Sequence, residues 1–154
     1  MGNRAVITFD QQPTPDSIGV YLHWNGGAES VLAFLEACNR LSVRDDSDQS
    51  YQLARFIQIV GNYFGGTTSL GVGHLKNLDC DNYDNGLFVV SREGNEITIK
   101  QSDGKNLADF ADENYPESDL YMIREHSYWK PDDTGKNIVD KVLAKNQPVF
   151  SKED

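Results

Sequence analysis

The chain carries only two cysteines, Cys38 and Cys80, one on the apolar stripe of a predicted helix and one in an acidic loop. Their number and spacing argue against a disulfide framework and against a zinc site, so both are read as free thiols. The three histidines, His23, His74 and His126, form no His-x-x-x-His or His-Glu-x-x-His pair, and no metal centre is expected of them. No apolar run approaches the roughly 20 residues that span a bilayer. The opening stretch Met1 to Asp10 enters a strand-like run at once, without the apolar core or small-residue cleavage site of a secretion signal. A cytoplasmic location with no membrane partner is the expectation. The glycine spacings of dinucleotide and P-loop sites are missing, as is a Gly-x-Ser-x-Gly elbow, so no cofactor is expected and no catalytic residue stands out. Bases are scarce as well: 14 Lys and Arg face 24 Asp and Glu, for a net charge of -10. Phosphate binding draws its affinity from Lys and Arg, so direct binding to nucleic acid is disfavoured.

What is present begins with a strand, a glycine turn and a helix. Val20, Leu22 and Trp24 alternate with Gly19, Tyr21 and His23, the period of two that marks a strand with one core face. Asn25-Gly26-Gly27 tolerates positive φ and turns the chain. Val31, Leu32, Leu35 and Cys38 then recur at helical spacing. Such a corner can offer backbone N–H groups and a helix dipole to an anion, or can simply turn the chain, and Glu29 in the first turn opposes a phosphate. A single domain of the α+β class is expected over residues 1–154. It should have a mostly antiparallel sheet with hairpins 5–24 and 87–100, helices near 28–41 and 51–64 packed on one face, and a C-terminal helix around Ile138, Val139, Val142 and Leu143. Leu87 to Ser91 is apolar on both faces and reads as a central strand, with 96–100 as its more exposed neighbour. Thr67 to Asn85, rich in Gly, Asp and Asn, is expected to be irregular. A short helix within 103–119 and a last strand at Leu120 to Arg124 complete the reading.

Charge is uneven along the chain. Residues 79–119 hold eleven acids against three bases, and that segment alone carries -8. A basic partner or a cation would be drawn to it. Asp79-Cys80-Asp81-Asn82-Tyr83-Asp84-Asn85-Gly86 supplies many oxygen atoms, but counting from Asp81 puts Tyr83 third and Arg92 twelfth, which breaks the EF-hand pattern. An Asx-rich turn bonding to its own backbone is the simpler reading. His23 ends a strand just before the glycine turn, where a side chain on the polar face could touch a ligand.

Asn3 to Phe9, Ile18 to Gly27 with its Tyr-Leu-His-Trp-Asn-Gly-Gly run, Gly61-Asn62-Tyr63-Phe64-Gly65-Gly66 and Asp81 to Gly86 resemble a group of small proteins encoded by bacterial phages and prophages. The resemblance covers roughly residues 3–92, leaves the C-terminal third without a counterpart and carries no activity with it. It implies a mobile-element origin, and small acidic proteins of such origin often act by occluding a host protein, sometimes by imitating nucleic-acid charge. Two functions follow as expectations. The first is an acidic binding protein that occludes a basic surface of a host protein, with an antiviral defence factor as the candidate target, through a region that includes Asp109, Asp112, Glu113 and Glu117. The second is a small-molecule or nucleotide-binding protein, or an enzyme, that uses His23, Trp24, Asn25, Gly26 and Gly27.

Overall fold

A computed structural model describes residues 2–41, 49–67, 70–93, 96–103, 124–126 and 133–146. In chain order the elements are β1 (Ala5–Thr8), β2 (Ile18–Leu22), α1 (Ala28–Arg40), α2 (Gln49–Phe64) and β3 (Leu70–His74). A 3-10 turn (Leu75–Asn77), β4 (Leu87–Glu93), β5 (Glu96–Ser102), β6 (Arg124–His126) and α3 (Asp133–Lys145) follow. The strands form one six-stranded sheet in the order β3-β2-β1-β4-β5-β6. All neighbours are antiparallel except the central pair β1 and β4. The fold is therefore α+β with a largely antiparallel sheet, both expected hairpins and three helices.

The periodicities explain the layers. Ala5, Ile7, Val20, Leu22, Phe88, Val90 and Ile99 point to one face and are buried under Val31, Phe34, Leu35 and Cys38 of α1, Phe56 and Val60 of α2, and Ile138, Val139 and Val142 of α3. Phe34 is the hub of an aromatic cluster, with its ring 6.3 Å from Phe56, 5.2 Å from Tyr63 and 6.5 Å from Phe64. Val6, Leu87 and Val89 point to the opposite face. There they meet Leu75, Cys80 and Leu78 from the segment after β3, which crosses the sheet as a strap and makes a second, smaller core. Apolar residues on both faces make β4 a central strand. Among the described residues, no helix is long and apolar enough to cross a membrane.

Two expectations are corrected. The segment 67–85 is not irregular throughout, because Leu70–His74 adds a strand to the free edge of β2 with five residues in register. Gly71 and Gly73 remove the side chains through which a period of two would be read. Trp24 does not continue the core face of β2. The strand ends at Leu22, and Trp24 is 43% exposed. Cys80 is a free thiol, as expected, and is buried; burial, with the nearby charge of Asp79, pushes its thiol up to about 12. It is an unreactive core residue. Of the last predicted strand only Arg124 falls within β6, since 120–123 lie outside the described residues, as do 104–119 of the predicted acidic helix.

Candidate functional site

The strap ends in a loop whose geometry is set by one buried side chain. Asn82 is fully buried. Its Oδ1 accepts hydrogen bonds from the backbone N–H of Asp84 at 3.1 Å and of Gly86 at 3.0 Å. Its Nδ2 donates to the carbonyls of Asp79 at 2.9 Å and Gly86 at 3.2 Å. This is the Asx turn expected from composition, and it uses the donors and acceptors of the amide on the loop itself. The loop is tied into the sheet by Val6 N–H donating to the Gly86 carbonyl and Asn85 N–H to the Arg4 carbonyl. One residue is projected outward by this bracket. Tyr83 is 87% exposed and adopts φ +62°, a left-handed conformation that costs a non-glycine residue about 1–2 kcal/mol. A shallow cleft of about 230 Å³ lies beside it, lined in part by Asp81, Asp84, Asn85, Gln101 and Asp103.

Arg4 fixes the loop from the N-terminal strand. Its backbone N–H and its Nε both donate to Asp84 Oδ2, at 3.0 and 2.7 Å, and its Nη1 is 4.0 Å from Asp79. The side-chain hydrogen bond from Arg4, seconded by the backbone one, holds the Asp84 carboxyl below its usual range. Lys76, bonded to Asp16 at 2.7 Å, does the same for Asp16. Because both carboxyls are depressed in the folded state, the stability they contribute is fully present above the ordinary aspartate pKa of about 4. It is lost as pH falls through the lower folded value. Carboxylate resonances followed by NMR should show Asp84 and Asp16 titrating below the ordinary aspartate value. Arg4→Ala should return Asp84, and not Asp16, to the ordinary range.

The corner after β2 is close by. His23 is half-buried, with Nδ1 2.8 Å from the Tyr21 hydroxyl and its ring edge-to-face with Trp24 at 4.9 Å. Asn25 is the residue at positive φ, +57°, while Gly27 is an ordinary extended N-cap at φ -67°. Gly26 is required for closeness instead. Its N–H donates to the Asn3 carbonyl at 2.8 Å, and a Cβ there would meet that oxygen at 2.6 Å and the Ala5 Cβ at 2.8 Å. The space at the corner is thus filled by the chain's own residues Asn3 to Ala5. A polar chain continues across this end of the sheet. Asn85 donates to Asn3 Oδ1 at 2.6 Å, Gln101 donates to the Asn85 carbonyl at 2.9 Å, and His126 Nε2 lies 3.0 Å from Gln101 Oε1.

The structure therefore brings His23 to Gly27 and the Asn82 loop to one end of the sheet, with Arg4 between them. Asp109, Asp112, Glu113 and Glu117 lie outside the described residues. Among the described residues, no group of three or more His, Cys, Asp or Glu is arranged to hold a metal ion. Tyr83 and Arg4 were not singled out in the sequence. The signal for Tyr83 was its place between Asn82 and Asp84 in an Asx turn. No local signal marks Arg4, whose partner Asp84 is 80 residues away. No protein-family model, no curated protein and no solved structure matches this chain.

Proposed function

We propose that the protein is a non-enzymatic acidic binder that occludes a basic surface of another protein, using the Asn82 loop as its rigid anchor. The observation that carries this reading is Tyr83, a large aromatic held in a costly backbone conformation and left 87% exposed by a bracket of buried hydrogen bonds. Neither feature helps the isolated chain fold, and strained residues of this kind gather at functional sites. A tyrosine that shares a cleft with the carboxylates of Asp81 and Asp103, and with Asp84 already held by Arg4, suits Lys and Arg side chains, which gain both cation–π and charge-assisted contacts. Residues 103–119 carry six acids against one base, and Asp109, Asp112, Glu113 and Glu117 would speed association more than they deepen affinity. With the mobile-element origin that the resemblance implies, the partner is a host protein, and an antiviral defence factor is the candidate.

Capture from bacterial lysate on immobilised protein, followed by affinity measurement on the partner recovered, tests the proposal. Tyr83→Ala should weaken the complex by about thirtyfold or more, the loss typical of an aromatic anchor. Tyr83→Gly should lose as much binding while the isolated protein unfolds at the same or a higher temperature, because strain is removed. Replacing Asp109, Asp112, Glu113 and Glu117 with Asn or Gln should slow association and flatten its salt dependence. A partner held equally well by wild type and Tyr83→Ala would sink the reading.

A further inference from the structure

At the other end of β1 from the Arg4–Asp84 pair, a second cleft of about 260 Å³ opens between the β1–β2 connection and the first turn of α2. Three of its lining residues are apolar, Phe9, Leu53 and Ile18, the last 40% exposed. The others are polar, and Asp10 among them is braced. Asp10 Oδ1 accepts from the Gln12 N–H at 3.1 Å, and Asp10 Oδ2 accepts from the hydroxyl of the buried Ser17 at 2.7 Å. Both donors are neutral, and among the described residues no ion pair reaches Asp10. The other lining carboxylate, Asp16, is already matched by Lys76 at 2.7 Å. Gln49 and Ser50 in the first turn of α2 also line the cleft, and the partial positive charge of about one half at a helix start is less than the full charge of a carboxylate. A carboxylate has about four lone-pair sites, and its two hydrogen bonds leave Asp10 able to accept more.

We propose that this cleft binds a small organic monocation, a primary amine on an apolar body. Its ammonium would sit on Asp10 and its body against Phe9, Ile18 and Leu53. The volume limits the occupant to a molecule smaller than the drug-sized ligands that fill pockets of about 300–1,000 Å³. An anion is disfavoured by Asp10 and Asp16, and a neutral molecule of the same shape gains only the apolar contacts. The site is separate from the Tyr83 loop and does not rest on the role proposed for it.

The test uses the full chain labelled for amide NMR, with 2-phenylethylamine as probe and 2-phenylethanol and phenylacetate as its neutral and anionic counterparts. Saturable shifts are expected at Phe9, Asp10, Ile18, Ser50 and Leu53. The amine should bind about tenfold or more tighter than the alcohol, and phenylacetate should not saturate. Asp10→Asn, which keeps an acceptor for Ser17, should erase the advantage of the amine over the alcohol. Ile18→Ser, at a partly exposed position, should weaken both and leave their ratio intact, so the two terms separate even if Asp10→Asn folds poorly. Equal binding of amine and alcohol to the wild type, shifts confined to the acidic loop 79–86, or an undiminished preference in Asp10→Asn would each overturn the proposal.

Discussion

Gly86→Ala should unfold the protein or cost more than about 4 kcal/mol, a loss reserved for a few mechanisms, two of which coincide here. Gly86 has φ +69°, so any side chain pays the left-handed penalty of about 1–2 kcal/mol. A Cβ at this position would also overlap the carbonyl oxygen of Ser102 and touch the backbone of Asp103 at 3.0 Å. These obstacles are main-chain atoms next to the end of β5 and cannot rotate aside. Nor can Gly86 itself retreat, because its N–H donates to Asn82 and its carbonyl accepts from Val6 and Asn82. Gly66 is the control, with φ +55° and nothing within 4 Å of the added carbon. Gly66→Ala should therefore lose only about 1–2 kcal/mol, from backbone strain. Urea unfolding of the two variants separates strain from collision. Similar midpoints would show that the strap end can yield, and that the contact with Ser102 does not hold the loop.

How far the fold could be read from sequence depended on whether a pattern was local and carried by side chains. The hairpins 5–24 and 87–100 and helices α1 and α2 announce themselves because Val20 and Leu22, or Val31, Leu35 and Cys38, repeat at the spacing of one face. β3 is silent because Gly71 and Gly73 leave its alternation unwritten. What makes it a strand is the free edge of β2, a property of the assembled sheet. The parallel pairing of β1 with β4 depends equally on distant parts of the chain. Trp24 misled because an alternation carries no mark of where the ladder stops. At the site, the Asx turn was legible from composition, and the inward role of Asn82 follows from its chemistry. That Tyr83, and not an Asn or Gly, takes the positive φ runs against local preference, which is why it was missed and why it points to function.

Asn82→Ala should be nearly as damaging as the change at Gly86, and its neighbour Asn82→Asp should reveal why. Alanine removes four hydrogen bonds at a fully buried position. The Gly86 carbonyl keeps Val6 as a donor, but the N–H groups of Asp84 and Gly86 lose the acceptor that Asn82 supplies. At about 1–3 kcal/mol for the buried Gly86 N–H left unsatisfied, and less for the part-buried N–H of Asp84, a total of about 3 kcal/mol is expected. Aspartate keeps Oδ1 in place for those two N–H groups, yet sets a charged oxygen where Nδ2 had donated to the carbonyls of Asp79 and Gly86. Burial and those carbonyls favour its neutral form, so its folded pKa must rise above the unfolded value of about 4. The protonated acid can donate to one carbonyl, so its stabilising contribution is present at low pH and lost as pH rises through the folded pKa. Asn82→Asp should therefore gain stability relative to wild type on acidification, the reverse of the trend that Asp84 and Asp16 impose on the wild type. Thermal unfolding at pH 4 and pH 7 reads the difference directly. If instead Asn82→Ala and Asn82→Asp lost little stability at both values, the loop would be ordered without its bracket, and nothing would be holding Tyr83 in its strained pose.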